Sequence, residues 1–314
     1  MAFTVCSAAD VPVEQWRVLS RDSLFSSPAF VSIWEAWGGR PVFFLEHDNG
    51  CSVAGMAGII MGHRLIRHFE SMADGLYGGA FYAENTDESV RGAFEHNVVR
   101  YLKSRGVIRA DIHHPDHTPE SGLYSRSPIG LHVIPLSGDD FKPAHPKVRE
   151  HLRSAERGGA EVCRFTDAGR MDEFYGLVEQ TESRHGCSPR YPRSLFEKLF
   201  SLAAHDERII WLAVLFEDRM IASRISLVER GQMLNWQSFF DKQYSRLRPN
   251  YLLMQDVIRF AQQRGIHEVN LGWSPPGADS LVEFKERWGG QKTEYTSYTW
   301  MSRWGKLINR LRTS

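Results

Sequence analysis

The two halves of the sequence repeat one pattern, in which a helical stretch stops at a glycine and a strand-like stretch follows. The first helical stretch ends at Gly106 before VIRADIHH, and the second ends at Gly265 before IHEVNLGW. Both stop with an aromatic residue, three further residues and Arg-Gly, and the glycines lie 159 residues apart in a chain of 314. Two aromatic pairs share this spacing: Tyr77 with Trp236, and Phe81 with Phe240. Repetition at this period predicts a duplicated module.

The stretches before each long helix are alternating or continuously apolar, as in β-strands. They read PVFFLEH, SVAGMAGIIMGH and RLIRHFESM in the first half, and RIIWLAVLFE, MIASRISLVE and QMLNWQSFF in the second. Antiparallel strands followed by a crossover helix and one further strand form a mixed sheet covered by helices. The predicted fold class is therefore α/β (α+β mixed sheets), in two similar domains.

A proline-rich segment, FKPAHP at 141–146, separates the halves, because proline is costly inside a helix or a central strand. We predict an N-terminal domain over 1–140 and a C-terminal domain over 141–314. The net charge of zero divides at the same place into −6 for 1–140 and +6 for 141–314. The basic half suits an anionic ligand, although unequal solvated surface charge gives the same totals.

Composition excludes several classes of protein. No apolar run approaches the roughly 18 residues of a membrane-spanning helix, and 42% hydrophobic residues are ample for a core. The four cysteines have no C-x-x-C spacing, so they signal neither a disulfide framework nor a zinc site. The N-terminus lacks the basic start and apolar stretch of a secretory signal. The expected compartment is the cytoplasm.

The segment HHPDH at 113–117 contains the residue types of a metal site. Adjacent histidines on a strand point to opposite faces, and no partner cluster occurs elsewhere in the sequence. We therefore predict no metal.

Four stretches carry motifs that occur together in a known family. The most specific is ADSLVEFKERWGG, whose Phe-Lys-x-x-aromatic-Gly core consists of Phe284, Lys285, Trp288 and Gly289. The others are SMADGLYGGAFY, KVREHLRSAERGGAEV and TESRHGCSPRYPRSLFEKL. Together they resemble the Fem-type (FemAB-like) branch of the GNAT acyltransferase superfamily, over about 26–300.

The resemblance implies two tandem GNAT-like domains and an N-acyltransferase in which the amine attacks the acyl group directly. Members of this branch use acyl-CoA or aminoacyl-tRNA, and several act on cell-envelope precursors. No stretch here matches the long helical hairpin of some tRNA-dependent members, which favours acyl-CoA as donor. The expected acceptor is an amine of a cell-envelope or polysaccharide precursor.

One position departs from the family pattern. Asn270 stands where the branch often has Asp, so the resemblance does not carry over an acidic role there. Two alternatives stay open: aminoacyl-tRNA-dependent formation of peptidoglycan cross-bridges, and a non-catalytic ligand-binding protein of the same fold.

Direct transfer needs no covalent nucleophile, but it needs a site for the donor and stabilisation of an oxyanion. Phosphates favour a helix N-terminus, and SRLRPN at 245–250 offers two arginines and a proline near the first helical position. We predict that Arg246, Arg248 and Asn250 bind the donor, together with Trp236 on the preceding strand. A turn with solvated arginines is the alternative.

Lys285 and His185 are the predicted catalytic residues. At about 100° per residue, Lys285 lies beside the apolar stripe of Phe284 and Trp288, where a cation lines a pocket or extends to solvent. The resemblance favours the pocket, and with it a substrate contact for Phe284. For His185, the imidazole group of histidine suits a general base near neutral pH, although a histidine before Gly186 also suits a helix end.

The loop Tyr77-Gly78-Gly79 is the predicted acceptor site. Glycine backbone can approach a ligand closely, and an aromatic ring can pack on it. A tight turn is the equally good alternative.

The C-terminal stretch 302–313 has an amphipathic pattern. Its apolar residues are Trp304, Leu307, Ile308 and Leu311, and its basic residues are Arg303, Lys306, Arg310 and Arg312, with no acid. Such a helix binds an anionic membrane surface or packs its apolar stripe on the protein. Membrane binding would place the protein at the inner face of the membrane.

Overall fold

The computed structural model describes residues 1–63, 66–73, 75–113, 119, 123–136, 138 and 141–313. The chain divides into two compact units, Gly130–Glu294 and a unit that combines Met1–Ile129 with Tyr295–Ser314. Each unit contains a mixed sheet with helices. The predicted α/β class is confirmed.

The strands and helices are numbered in chain order. The strands are β1 (Ala2–Cys6), β2 (Arg40–Asp48), β3 (Cys51–His63), β4 (Ile66–Glu70), β5 (Ala80–Tyr82), β6 (Val107–His113), β7 (Ser125–Pro135), β8 (Glu161–Arg164), β9 (Ile209–Phe216), β10 (Arg219–Glu229), β11 (Gln232–Phe240), β12 (Glu268–Asn270) and β13 (Gln291–Met301). The α-helices are α1 (Val13–Leu19), α2 (Pro28–Ser32), α3 (Glu88–Ser104), α4 (Pro146–Glu156), α5 (Met171–Arg184), α6 (Arg193–Ala203), α7 (Pro249–Gln263), α8 (Asp279–Arg287) and α9 (Arg303–Thr313).

In the first unit the strand order is β1-β2-β3-β4-β6-β13. Strands β1 to β4 are antiparallel neighbours, and β6 returns parallel to β4 after α3. Strand β13 pairs antiparallel with β6, with Tyr298 opposite Ile112. Phe94 and Val98 of α3 pack in the core of this unit with Phe44 of β2.

In the second unit the strand order is β8-β9-β10-β11-β12-β7. Strands β8 to β11 are antiparallel neighbours, and β12 returns parallel to β11 after α7. Leu253 and Val257 of α7 pack in its core with Val148 and Leu152 of α4. Helix α4 begins where Pro146 occupies the first turn and the His145 side chain accepts a hydrogen bond from the Lys147 N–H.

The topology repeats in the way that the helix-glycine-strand pattern predicts. Each unit has four antiparallel neighbouring strands, a long helix and a strand parallel to the fourth of them. Gly106 and Gly265 follow the two long helices at φ +73° and +64°, a conformation that favours glycine.

The two aromatic pairs do not occupy equivalent positions, and this part of the predicted repeat is wrong. Trp236 and Phe240 lie on β11, the strand to which β12 is parallel. Tyr77 and Phe81 follow the corresponding strand β4, because the first unit adds β5, which pairs with β3.

The bounds of the units differ from the predicted 1–140 and 141–314. The second unit begins within β7, because Val133–Pro135 pair with β12. From Tyr295 onwards the chain belongs to the first unit again, because β13 pairs with β6. The prediction that the N-terminal domain binds the acceptor and the C-terminal domain the donor stays a prediction.

Among the described residues, no helix is both long enough and apolar enough to cross a bilayer. In the same part of the chain, no three His, Cys, Asp or Glu side chains are grouped to hold a metal ion. His113 pairs through Nδ1 with the Ser297 hydroxyl at 3.0 Å, and 114–117 of the histidine-rich segment lie outside the described residues. The four cysteines are free thiols.

Candidate functional site

Strand β11 contains a β-bulge at Trp236. The register with β10 shifts between Ile225 and Ser226, which pair with Gln237 and Asn235, so Trp236 is the inserted residue. Bulges bend a strand, change the direction of its side chains and are frequent beside active sites.

Strand β11 extends well beyond its parallel pairing with β12. That register covers Gln232–Leu234 and stops where β12 ends at Asn270, whereas β11 continues to Phe240. On this longer part, exposed Ser238 donates a hydrogen bond to Oδ1 of Asn250 at 3.3 Å. Asn250 therefore connects the first turn of α7 to the part of β11 that follows Trp236.

The start of α7 carries the other two predicted donor-binding residues. Arg248 caps the helix in the left-handed conformation, at φ 54°, and Pro249 occupies the first helical position. Arg246 belongs to the preceding 3₁₀ turn, Lys242–Leu247, and both arginines are exposed. The positive end of the helix and two cations create a favourable place for an anion.

His185 is exposed at the C-terminal end of α5. The preceding Arg184 donates from Nη1 to the carbonyl oxygen of Phe240 at 2.9 Å and stacks over its ring at 4.6 Å. A second contact joins the same segment to β11, because the rings of Tyr191 and Trp236 are 5.6 Å apart. The Arg-His-Gly segment therefore lies beside the bulged half of β11.

Asn270 is fully buried at the end of β12 and joins two hydrogen bonds. Its Oδ1 accepts from the Gly272 N–H at 2.8 Å, and its Nδ2 donates to Oε1 of Gln232 at 3.1 Å. Gln232 in turn donates from Nε2 to the Glu268 carboxylate. The amide matches this network because it accepts and donates at once, which an ionised carboxylate cannot do.

Lys285 is buried in α8, only 4% exposed. Its Nζ donates to the carbonyl oxygens of Gly272 and Trp273 at 2.8 and 3.0 Å, and to the Ser274 hydroxyl at 2.8 Å. Desolvation by burial lowers the pKa of Lys285 to about 8. Every N–H of the ammonium has an acceptor, so Lys285 holds the loop after β12 and does not extend to solvent.

His132 of β7 is a buried residue beside this loop that the sequence did not reveal. Its backbone pairs with the loop, donating to the Gly272 carbonyl at 3.3 Å and accepting from Leu271 N–H at 2.8 Å. Within the described chain neither ring nitrogen has a hydrogen-bond partner, and Glu286 is 3.9 Å away. Burial, and secondly the charge of Lys285, lower the pKa of His132. No motif or spacing in the sequence marks this residue.

Phe284 packs into an aromatic group of the second unit. Its ring lies 5.5 Å from Tyr251 of α7 and 6.3 Å from Trp288. It is half-buried, so its predicted substrate contact stays a prediction.

Tyr77 and Gly79 belong to the first unit. The Tyr77 ring packs against Phe25 at 6.2 Å and against Tyr295 at 5.7 Å, and Gly79 is buried. Their predicted contact with an acceptor stays a prediction.

Gly78 is required by the chain itself. Its N–H donates to the His113 carbonyl at 2.7 Å, and its carbonyl accepts from the Ser71 hydroxyl at 2.6 Å. A Cβ at Gly78 would lie 2.3 Å from the Ser71 carbonyl oxygen. This close approach, in a β-bridge to His113, accounts for the glycine within the fold, and its predicted contact with an acceptor stays a prediction.

The predicted site residues thus fall into two sets. The second unit contains the predicted donor-binding and catalytic residues with Phe284, namely Trp236, Arg246, Arg248, Asn250, His185, Lys285 and Phe284. The first unit contains the predicted acceptor loop, 77–79. Within the second unit, the hydrogen bond from Asn270 to Gln232 connects the loop held by Lys285 with the start of β11.

The second unit matches a known family. Residues 146–286 match the family model for the acetyltransferase (GNAT) domain, a segment that includes the bulged strand, the start of α7 and Lys285. A sequence search of curated proteins gives no match.

Solved structures resemble the whole chain. FemX covers 99% of this chain and is itself covered to 99%, at 11% identity and a TM-score of 0.71. L-PGS from Bacillus licheniformis covers 96% of this chain and is itself covered to 96%, at 12% identity and a TM-score of 0.60. A tandem GNAT protein from the clavulanic acid biosynthesis pathway covers 96% of this chain and is covered to 98%, at 9% identity and a TM-score of 0.56. At these identities the likeness shows the fold.

The match to the acetyltransferase (GNAT) domain over 146–286 supports an N-acyltransferase. The chain also has the fold of FemX and of a tandem GNAT protein, in agreement with the resemblance of its motifs to the Fem-like branch.

Proposed function

We propose that the protein transfers an acyl group from acyl-CoA to an amine of a cell-envelope or polysaccharide precursor. The observation that supports this most is the start of α7 within the GNAT domain, where exposed Arg246 and Arg248 flank a helix N-terminus beside the bulged strand. The CoA diphosphate is an anion that such a terminus favours. Asn250 and Trp236 complete the proposed donor site.

The proposed reaction is a direct transfer. The amine nitrogen forms a bond to the thioester carbonyl carbon, the carbon–sulfur bond breaks, and the CoA thiolate leaves and receives the proton that the amine loses. His185 is proposed to take this proton from the amine and pass it to the thiolate, because it is exposed beside the end of β11. Lys285 is proposed to act as a positioning residue, since its hydrogen bonds hold 272–274.

Calorimetric titration with CoA and acetyl-CoA tests donor binding. The informative variant is Arg248→Gly, because glycine adopts the left-handed conformation of this position without strain while the guanidinium is lost. We expect Kd to rise about tenfold, the loss of one charge-assisted contact. Arg259→Ala, a variant of an exposed arginine further along α7, should stay within about twofold. No binding at millimolar donor, or equal effects of both variants, would contradict the proposal.

A matched pair of histidine variants tests the proton acceptor. His185→Gln should lower kcat by at least about tenfold at neutral pH, within the range of a lost general base, with little change in donor Kd. His205→Gln, at another exposed histidine near a helix end, should keep full activity. Unchanged kcat in His185→Gln would exclude this role.

Binding measurements on the same protein distinguish aminoacyl-tRNA from acyl-CoA as the donor. Charged tRNA that binds with steep salt dependence, in a protein that does not bind CoA, would favour aminoacyl transfer. A protein that binds CoA but gives no turnover with any amine would favour the non-catalytic alternative.

We further propose that α9 binds an anionic membrane surface. Three of its four apolar side chains are exposed, Trp304, Leu307 and Leu311 at 70%, 48% and 72%, and Ile308 is half-buried. The helix is basic and contains no acid. Its attachment to the first unit uses Gly305, where a Cβ would lie 2.3 Å from the carbonyl oxygen of Ile108. Exposed apolar and basic side chains on one short helix suit an anionic bilayer.

Sedimentation with lipid vesicles tests this surface. We expect the protein to pellet with vesicles of phosphatidylglycerol and phosphatidylcholine but not with phosphatidylcholine alone, and to be released by salt. The double variant Trp304→Ser with Leu311→Ser should stay in solution. Val13→Ser with Val18→Ser, which changes two exposed apolar residues of α1, is the control. Equal binding of both double variants would exclude α9 as the contact.

A further inference from the structure

Arg224 is a buried cation in the sheet of the second unit. It lies on β10, opposite Ser238 of β11, and is only 6% exposed. Its Nη1 points to Sδ of Met254 in α7 at 3.1 Å, and its Nη2 to the Ser238 hydroxyl at 3.4 Å. The guanidinium therefore lies between the sheet and the first turns of α7.

The charge of Arg224 has no counter-ion in the described part of the chain. Both of its polar contacts are neutral and weak, a thioether and a long bond to a hydroxyl, and Nε has no hydrogen-bond partner there. Desolvation by burial lowers the pKa of Arg224 to about 10, so the group is still a cation at neutral pH. Buried charges are normally paired, and an uncompensated one costs stability.

The surroundings connect this cation to solvent along the proposed donor site. Ser238, which bonds to Arg224, is exposed and also donates to Asn250 in the first turn of α7. The pairing of β11 with β12 has already ended at Leu234. A substrate lying along this part of β11 would meet Ser238 first, with the guanidinium directly behind it.

We propose that Arg224, with Ser238, binds a carboxylate of the substrate. This inference rests on the proposed acyl transfer and assigns its substrate class, an acyl group that ends in a carboxylate or an amine that carries one. A planar guanidinium matches a carboxylate with two parallel hydrogen bonds, and the free Nε supplies a donor for that geometry. One carboxylate neutralises one buried guanidinium, whereas the donor phosphates have the exposed Arg246 and Arg248.

Succinyl-CoA and acetyl-CoA separate this carboxylate from the donor phosphates, because both esters carry the same phosphates. If the carboxylate belongs to the acyl group, the unmodified protein should bind succinyl-CoA at least about tenfold more tightly than acetyl-CoA. Arg224→Met should remove this preference and leave the Kd of acetyl-CoA within about twofold. If the carboxylate belongs to the acceptor, the KM of L-alanine should be lower than that of ethylamine. Arg224→Met should remove this difference.

Two controls make the outcome decisive. Arg224→Lys keeps the charge but loses the planar fork, so it should retain only part of the preference. The ligand-free Arg224→Met protein should unfold at the same temperature as the parent protein or higher, because an unpaired buried charge is replaced by an apolar side chain of similar length. A strongly lowered unfolding temperature would show a structural role and contradict the proposal.

Other results would overturn either the carboxylate site or the acyl transfer on which it rests. No carboxylate preference in either arm, or a preference that survives Arg224→Met, overturns the carboxylate site. Equal loss of succinyl-CoA and acetyl-CoA binding in Arg224→Met shows a phosphate contact and overturns it as well. If the parent protein binds no CoA ester, the proposed acyl transfer fails. Free succinate then tests Arg224 separately. A thermal shift with succinate in the parent protein, but not in Arg224→Met, would support the carboxylate site.

Discussion

The ammonium of Lys285 donates a 2.8 Å hydrogen bond to the carbonyl oxygen of Gly272, two residues after β12 ends. Because Trp273 and Ser274 supply the other two acceptors, one side chain of α8 holds three successive residues.

Lys285→Met should release the loop after β12. The variant keeps the length of the side chain but leaves three acceptors without their donor. Hydrogen exchange measured by mass spectrometry should be at least about tenfold faster for amides 271–274, the rate change that corresponds to about 1.4 kcal/mol of lost protection. Lys292→Met, at an exposed lysine paired with Glu286, should leave the exchange unchanged. Identical exchange in both variants would show that Lys285 does not hold the loop.

The same lysine should make stability depend on pH in the alkaline range. Its pKa is lowered from 10.5 to about 8, so between these values the unfolded chain binds more protons than the folded one. Stability from this group therefore rises with pH across that window, by at most about 1.4 kcal/mol per pH unit. Urea unfolding from pH 7.5 to 9.5 should show a rise that is smaller in Lys285→Met. Parallel profiles would contradict the burial of an ionised lysine.

Asn270→Asp should destabilise the second unit, although the family often has Asp here. A carboxylate would face Oε1 of Gln232, and Gln232 cannot reverse its amide because Nε2 donates to the Glu268 carboxylate. We expect a loss of about 1–3 kcal/mol, the range for a buried polar group without its partner. Adding Glu268→Gln should restore about half of it, because the Gln232 amide can then reverse. A double-mutant cycle in urea measures this, and strict additivity would contradict the network.

His132 should weaken the fold on the acid side. Burial and the charge of Lys285 lower the pKa of His132, so below the ordinary value near 6.5 the unfolded chain binds more protons. Stability is then lost as the pH falls below about 6.5. His132→Leu should reduce this slope, with urea unfolding at pH 8 as the reference for each protein. A steeper or equal slope in the variant would contradict the prediction.

The sequence predicted those elements whose pattern is complete within one stretch. The long helices α3 and α7 and the strands β2, β3, β9, β10 and β11 each show their own periodicity, and the glycines after both helices mark their ends. The motif around Lys285 indicated the GNAT resemblance, because its residue types and spacing are local.

Strands β7 and β13 could not be predicted in this way. In β13, Gln291–Glu294 are exposed and most residues from Tyr295 onwards are buried. In β7, burial likewise begins only at Leu131. A strand that is polar over one half and apolar over the other has no single period, so neither strand was visible, and the domain boundary was placed at the prolines instead.

The partners of buried polar groups were equally invisible. The helical pattern placed Lys285 beside an apolar stripe, but its acceptors come from a loop 11 to 13 residues earlier in the chain. Arg224 lies in the stretch MIASRISLVE, but its lack of a counter-ion in the described chain depends on which side chains β11 and α7 bring beside it. The residue spacing within that stretch does not indicate this. Such features depend on tertiary packing.

The pairing of β13 with β6 has a consequence for biosynthesis. A ribosome releases residues 1–129 long before it releases Tyr295–Met301, and the whole second unit is translated in between. The nascent first unit would expose the edge of Val107–His113 until β13 arrives, and open strand edges promote misassembly. The second unit is continuous in the chain, so all of its strands are available before the first unit receives its last strand.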